Sequence, residues 1–205
     1  MAGYSDVKAV TITADTVALD ADGISVAAAV GNNAALVIGG ALASGGAVAL
    51  SHGRIVTILS AGNDAAKSFT VTGTDVNGDA QVESITGANA GTATGAVFFL
   101  TISGISAVGN PAGNVSAGVN GSAADLIFAG RSRLKGIYLT STATAGTVDF
   151  LRTSPSGTSV MGLSSVGDAD ATRDVVIPDE GVLFTDGIYI QYTVSTFLTL
   201  TVFHA

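Results

Sequence analysis

The chain has 205 residues, enough for one sizeable domain or two small ones. Sixteen acidic residues against eight basic ones give a formal net charge of −8, which argues against binding to nucleic-acid phosphates. The absence of cysteine excludes disulfide bonds, thiolate metal sites and cysteine nucleophiles. Only 12% of residues are charged, and 27 glycines accompany many small and β-branched residues, a composition typical of an all-β protein.

The first 30 residues, 1–30, are interpreted as an N-terminal arm or edge strands, because acidic residues punctuate the alternation of Val10 and Ile12. They lack the basic stretch followed by an apolar run that marks a signal peptide. The next stretch, Gly23 to Ser51, carries no charge and is apolar enough to be considered as a membrane span. Its two Gly-Gly pairs favour turns between buried strands instead, so no membrane contact is predicted.

Alternation of apolar and polar residues recurs along the rest of the chain, and no segment sustains the 3.6-residue period of an amphipathic helix. Turn signals separate these runs at short intervals, which is typical of sandwiches and barrels. A stretch rich in Gly and small polar residues, Asn110 to Asp125, separates two such regions. The sequence therefore predicts an all-β protein with little or no helix. It has two small antiparallel β-sandwich or barrel-like domains, 31–118 and 119–205.

The segment SFTVTGTDVNGDAQVESITG, Ser68 to Gly87, offers two interpretations. Asp75, Asn77 and Asp79 have the alternate spacing of calcium ligands, but Ala80 and Thr86 stand where a calcium loop has Gly and a bidentate Glu. Asn-Gly between two strand-like runs is a strong hairpin signal, because both residues tolerate positive φ. A hairpin is predicted, with the three oxygen-bearing residues kept only as weak metal candidates. Since Val82 and Ile85 fall on opposite faces, a bulge is expected beside it.

No catalytic residue and no cofactor are predicted. The two histidines, His52 and His204, lack metal-ligand spacing and are expected to be exposed, and the chain has no G-x-S-x-G motif and no P-loop. Glycoside hydrolysis needs paired carboxylates and a sugar-binding cleft, yet the sequence has only two glutamates and no tryptophan. A further acidic group is interpreted as a solvated loop: Asp168, Asp170 and Asp174. A glycan-binding alternative would need the remaining aromatic candidates to cluster: Tyr138, Tyr189 and Tyr192.

The run GRSRLKG places Arg131, Arg133 and Lys135 at alternate positions, so their side chains would project from one face of a strand. In an acidic protein such a stripe is a candidate contact surface for an acidic partner. The alternatives are an ordinary solvent-exposed face or an edge strand protected by charge against unwanted pairing.

Turn-and-strand patterns in two regions, Gly53 to Ser106 and Arg133 to Tyr192, resemble those of structural proteins of tailed bacteriophages. The run from Gly53 to Ser106 is similar to a virion module in which a strand ends at a Gly-Asn-Asp turn, a TVTGTD-NG hairpin follows, and a TGANAGT loop leads to another strand. The runs RLKGIYLTSTATAGTVDFLRTSPSG and VVIPDEGVLFTDGIYIQY, between Arg133 and Tyr192, are similar to small β-sandwich domains of phage virion proteins.

The resemblance implies a non-enzymatic virion component, with a capsid decoration (cement) protein as the leading expectation. Its partner would be the phage major capsid protein, and the protein would form a homo-oligomer, a trimer being the common case at capsid three-fold positions. It would reside on the capsid surface of the virion, and in the host cytoplasm during assembly. The alternatives are a head–tail adaptor or a tail or fibre component, and a glycan-binding receptor module.

Overall fold

A computed structural model describes residues 6–13, 20–119, 125–193 and 197–205. This part of the chain contains only strands and turns, so the all-β prediction is confirmed. No helix in it is long and apolar enough to cross a membrane, and the uncharged stretch Gly23–Ser51 contributes to strands instead. The strands in chain order are β1 (Lys8–Thr13), β2 (Asp20–Ala29), β3 (Ala43–Ser44), β4 (Ala47–Asn63), β5 (Ser68–Thr74), β6 (Ala80–Thr86), β7 (Asn89–Val108), β8 (Asn114–Val119), β9 (Asp125–Phe128), β10 (Ser132–Ser141), β11 (Ala145–Arg152), β12 (Ser159–Val166), β13 (Thr172–Val176), β14 (Val182–Phe184), β15 (Ile188–Tyr192) and β16 (Phe197–His204).

The strands fall into two compact units. The N-terminal unit comprises the described residues 20–119, and the C-terminal unit comprises 6–13, 125–193 and 197–205. This division differs from the sequence-based boundaries. β1 lies at the edge of a sheet in the C-terminal unit, where Ile12 is fully buried, while β2 belongs to the N-terminal unit. Long-range antiparallel pairing fixes both assignments, and no local pattern reports such pairing. Residues 120–124 of the predicted linker lie outside the described residues.

The N-terminal unit is one antiparallel sheet with the strand order β2-β8-β4-β7-β5-β6. The short strand β3 also pairs with β4. The long strand β7 pairs with β4 through its first half and mainly with β5 through its second half. Side chains of β6 return to the first half of β7. Gln81 Nε2 donates to the Phe98 carbonyl, and Glu83 Oε1 accepts from the Ala96 amide. These bonds join the sheet's last strand to an earlier one, which gives this end a barrel-like closure around Phe69, Val71 and Ile105.

The C-terminal unit is a sandwich of two sheets. One sheet has the order β1-β16-β10-β13, and β14 pairs along the same edge of β10 as β13. The other has the order β12-β11-β15-β9. Alternate residues of both sheets meet in one apolar core, to which β10 contributes Ile137 and Leu139 and β11 contributes Val148 and Phe150. The period-2 alternation of the sequence thus corresponds to inward and outward faces.

The predicted hairpin is present, because β5 pairs with β6 from Ser68↔Thr86 to Thr74↔Ala80. The expected bulge is wrong, since the register runs without a shift. Ile85 points into the core, whereas Val82 points outward and is 64% exposed. The backbone beside Val82 is therefore regular, and this apolar residue belongs to the outer face of the sheet.

Candidate functional site

The hairpin loop uses its acidic residues to satisfy its own backbone. Asp75 Oδ1 accepts hydrogen bonds from the amides of Asn77, at 2.8 Å, and Asp79, at 2.9 Å. Only Gly78 adopts the left-handed conformation, with φ of +89°, so the loop is a five-residue connection and not a two-residue turn with Asn77 at positive φ. Within the described ranges no cluster of three or more His, Asp or Glu residues could hold a metal ion. The weak metal candidates Asp75, Asn77 and Asp79 therefore form an Asx-type loop.

The cationic stripe lies on β10 and its approach, but β10 is not an edge strand. It pairs with β16 on one side and with β13 and β14 on the other, which contradicts the charged-edge alternative. Arg131 is exposed just before the strand. Arg133 forms an ion pair with Glu180 at 3.2 Å, and Lys135 Nζ donates to the Asp179 carbonyl at 3.1 Å. The turn at 178–181 thus already contacts two of the three cations.

Both histidines are buried, which corrects the expectation that they are exposed. His52 is 1% exposed and its Nδ1 lies 2.8 Å from Ser51 Oγ. His204 is 3% exposed, its Nδ1 lies 3.2 Å from Ser132 Oγ, and its ring packs against Phe128 with centroids 4.9 Å apart. Burial and, to a smaller extent, the Lys8 ammonium lower the pKa of His204. The neutral imidazole is a structural element of the C-terminal unit.

The three tyrosines do not share a surface. Tyr138 lies on β10 in one sheet of the sandwich, whereas Tyr189 and Tyr192 lie on β15 in the other. The Tyr192 hydroxyl donates to the buried carboxylate of Asp125, and its ring meets Phe197 edge-on at 5.5 Å. Burial and then the nearby Asp186 carboxylate raise the pKa of Tyr189. The clustering that the glycan-binding alternative would need is therefore absent from these residues. The remaining acidic residues are exposed, as expected, but only Asp168 and Asp170 lie in a loop, whereas Asp174 belongs to β13.

One surface of the N-terminal unit is distinguished by its chemistry, and we call it the hydroxyl face. It is formed by the outward residues of three adjacent strands, β6, β5 and the second half of β7. Its members bear only hydroxyl and small apolar groups, without a single charge: Ser68, Thr70, Thr72 and Thr74 of β5; Ala80, Val82, Ser84 and Thr86 of β6; Thr101, Ser103, Ser106 and Val108 of β7.

Hydrogen bonds within the hydroxyl face satisfy several of its polar groups. Thr74 Oγ1 lies 2.8 Å from Thr101 Oγ1, which also accepts the Thr74 amide at 3.1 Å. Ser103 Oγ donates to the Thr72 carbonyl, and Thr72 Oγ1 donates to Gly104. A buried polar group is costly when it loses its partner. Because these hydroxyls are bonded to each other and to the backbone, a partner can cover them at little desolvation cost.

The apolar part of the hydroxyl face is well exposed. Val82 is 64% exposed and Val108 is 50% exposed, and they lie on the two outer strands of the face. The signal for this surface was present in the sequence, since SFTVTGT alternates Ser and Thr with apolar residues and neither alternating set carries a charge. In the sequence analysis this stretch served only to predict the hairpin turn, so the hydroxyl face was not predicted.

Comparisons with known proteins leave the site to be judged on its own geometry. A scan against protein-family models found no match, and searches of curated proteins and of solved structures found no significant similarity.

Proposed function

We propose that the protein is a non-enzymatic structural component of a tailed-phage virion, a capsid decoration protein that binds the shell of major capsid protein and stabilises it. The resemblance of Gly53–Ser106 and of the runs between Arg133 and Tyr192 to virion modules supports this proposal. Those regions contain β5 and β6, most of β4 and β7 and, in the C-terminal unit, β11, β14, β15 and nearly all of β10. Its site of action is then the capsid surface, and it passes through the host cytoplasm during assembly.

The observation that carries the proposal is the hydroxyl face. In a protein with a net charge of −8, a surface of three strands without any charge is suited to close contact with another protein. Charged residues are depleted from the centres of protein interfaces, because each must be desolvated. The hydroxyls of Thr72, Thr74 and Thr101 are already bonded, and Val82 and Val108 supply exposed apolar area. We assign the hydroxyl face as the surface that rests on the capsid.

The cationic stripe is proposed as a second contact. Arg131 is exposed, and Arg133 and Lys135 lie beside the acidic turn at Asp179–Glu180. The Arg133 side chain is 31% exposed and that of Glu180 is 80% exposed, so an acidic partner can compete for this ion pair at low cost. Charges at the rim of an interface mainly steer association and set its salt dependence.

The test uses heads purified from phage that lacks this protein. Wild-type protein should sediment with such heads and raise the temperature at which they break open. Val82→Lys places an unpaired ammonium in the assigned contact, and burial of an unpaired charge costs well over the roughly 1.4 kcal/mol that corresponds to tenfold weaker binding. We therefore expect at least a tenfold loss of affinity.

The matched control is Val166→Lys, which makes the same change at a residue 63% exposed on β12 of the C-terminal unit. It should bind like wild type, and both variants should keep the wild-type melting temperature. Equal losses in the two variants would remove the hydroxyl face from the contact. A protein that ignores heads and copurifies with tails would overturn the decoration role in favour of an adaptor or tail component.

A further inference from the structure

The loop between β5 and β6 contains the only Asn-Gly pair of the described residues. Asn77 is exposed, and Gly78 follows it with φ of +89°. The other described asparagines precede Asn, Ala, Asp, Pro or Val: Asn32, Asn33, Asn63, Asn89, Asn110 and Asn114. A second Asn-Gly pair, at 120–121, begins outside the described ranges.

An asparagine that precedes glycine can lose its side-chain amide without a catalyst. The backbone nitrogen of Gly78 attacks Cγ of Asn77, and the side-chain nitrogen leaves as ammonia with the proton that Gly78 gives up. This step closes a five-membered succinimide ring. Water then opens the ring at one of its two carbonyls and leaves aspartate or isoaspartate. Glycine favours the attack, because it has no side chain to hinder the nitrogen and its backbone adopts many conformations.

The surroundings of Asn77 leave its side chain able to reach this geometry. A Cβ atom added at Gly78 would meet no atom within 4 Å, so the space beside the attacking nitrogen is open. Two other asparagines are held by their side chains, since Asn33 Oδ1 accepts the Gly109 amide at 2.8 Å and Asn63 Oδ1 accepts the Ala65 amide at 3.3 Å. In the described structure only the backbone of Asn77 is bonded in this way.

The backbone of the same loop opposes the attack. The Gly78 amide donates to the Asp75 carbonyl at 3.1 Å, so the attacking nitrogen must first leave this acceptor. Asp75 Oδ1 holds the residues on both sides, because it accepts the amides of Asn77 and Asp79. The peptide unit between Asn77 and Gly78 therefore rotates only when these bonds open. The loop combines a reactive pair with a restraint on it.

We propose that Asn77 is a site of spontaneous deamidation and that the Asp75 side chain limits the rate by holding the loop closed. The product adds a carboxylate to a loop that already has Asp75 and Asp79. Isoaspartate also inserts one carbon into the backbone, which moves the amide of residue 77 away from Asp75 Oδ1. The inference concerns the chemistry of this loop and does not depend on the proposed function.

The experiment incubates the full chain at mildly alkaline pH, which favours loss of the Gly78 proton, and follows it by peptide mass spectrometry. Combined cleavage by trypsin and Glu-C releases Ser68–Glu83, in which Asn77 is the only asparagine. Relative to the unincubated sample, this peptide should gain the mass difference between an amide and an acid. It should do so before any other described asparagine reacts, as judged from fragment ions. Isoaspartyl methyltransferase identifies the isoaspartate fraction. Asn77→Gln should keep its mass, because glutamine would have to close a larger ring.

The role of Asp75 is tested by two variants. Asp75→Ala should react about two- to tenfold faster than wild type, the ratio that corresponds to the net contribution of one hydrogen bond. Asp75→Asn keeps a side-chain oxygen that accepts hydrogen bonds, and it should react at nearly the wild-type rate. Circular dichroism and melting temperature establish that both variants are folded. Asn77 that stays intact while another described asparagine reacts would overturn the modification site. An Asp75→Ala rate equal to or below that of wild type would overturn the restraint.

Discussion

The two units bury their apolar residues in different ways. The C-terminal unit packs two separate sheets face to face around Phe150, whereas the N-terminal unit curls a single sheet until β6 bonds to the first half of β7 around Phe69. Their charges differ too. The N-terminal unit has two cations, Lys67 and the fully buried Arg54. The C-terminal unit has the remaining six: Lys8, Arg131, Arg133, Lys135, Arg152 and Arg173.

This difference indicates a division of roles. A unit with few charges has sheet faces that a partner can cover without desolvating ions, and the hydroxyl face belongs to the N-terminal unit. The C-terminal unit shows charged groups such as Arg133, Glu180 and Asp174 at its surface. Such groups favour solubility and long-range steering. We therefore expect the N-terminal unit to form tight contacts with partner proteins and the C-terminal unit to form salt-dependent ones.

The largest expected effect comes from removing a core aromatic ring from one unit only. Phe150→Ala deletes a fully buried ring of the C-terminal core, and Phe69→Ala deletes one of the N-terminal core. Each substitution should lower the free energy of unfolding of its own unit by about 3–5 kcal/mol, through lost burial and the cavity left behind. Hydrogen exchange followed by mass spectrometry resolves the two units.

Because each aromatic ring belongs to one apolar cluster, protection should fall in β11 and β15 for Phe150→Ala and in β5 and β7 for Phe69→Ala. The other unit of each variant should keep wild-type protection and so serves as the internal control. If either substitution unprotects both units to the same extent, the two cores fold as one and the comparison fails.

A smaller effect is expected from pH on the C-terminal unit. Burial and Lys8 lower the pKa of His204 in the folded protein below the value of about 6.5 expected when unfolded. The unfolded chain therefore takes up this proton first, so the stability contributed by the neutral ring is complete above about pH 6.5 and is lost as the pH falls towards the folded pKa. Chemical denaturation at a series of pH values measures this slope.

His204→Gln should reduce the loss of stability below about pH 6.5, because the titrating group is gone. Lys8→Met is the matched variant. It removes the smaller cause of the lowered pKa and keeps the burial, so its slope should lie between those of wild type and His204→Gln. A His204→Gln variant with the wild-type slope would assign the acid sensitivity to other groups.

The local part of the fold could be predicted from the sequence, because strands and turns depend on neighbouring residues. The alternation in SFTVTGT and the Asn77-Gly78 turn signal identified the β5–β6 hairpin correctly. The pairing of β1 with β16 could not be predicted, since nothing in KAVTIT specifies a partner near the other end of the chain. Pairing over such distances depends on which exposed edges meet in the folded protein, and this placed the unit boundaries elsewhere than expected.

The candidate site was harder to predict, because polar residues acquire different roles once they are buried. Asp64 belongs to a Gly-Asn-Asp turn signal, yet it is fully buried and its Oδ1 accepts the Ala112 amide at 2.7 Å. His204 also has no local mark of burial, and it is buried because β16 lies between β1 and β10. The stripe of Arg133 and Lys135 was identified from its spacing, but its contacts with the turn at Asp179–Glu180 come from a distant segment.

The smallest expected effect concerns that stripe and tests whether the charges of the C-terminal unit serve stability or contact. The Arg133–Glu180 pair spans 3.2 Å, but the Glu180 side chain is 80% exposed, so water screens the pair. Exposed ion pairs contribute between about 0 and 1 kcal/mol. Glu180→Gln should therefore change the free energy of unfolding by less than about 1 kcal/mol in chemical denaturation.

Glu180→Gln should also strengthen binding to an acidic partner at low salt, because Arg133 is released from its intramolecular carboxylate. Arg133→Gln should be equally stable and should weaken that binding. A loss of stability well above 1 kcal/mol in both variants would instead give the stripe a structural role. The steering role assigned to the charges of the C-terminal unit would then be wrong.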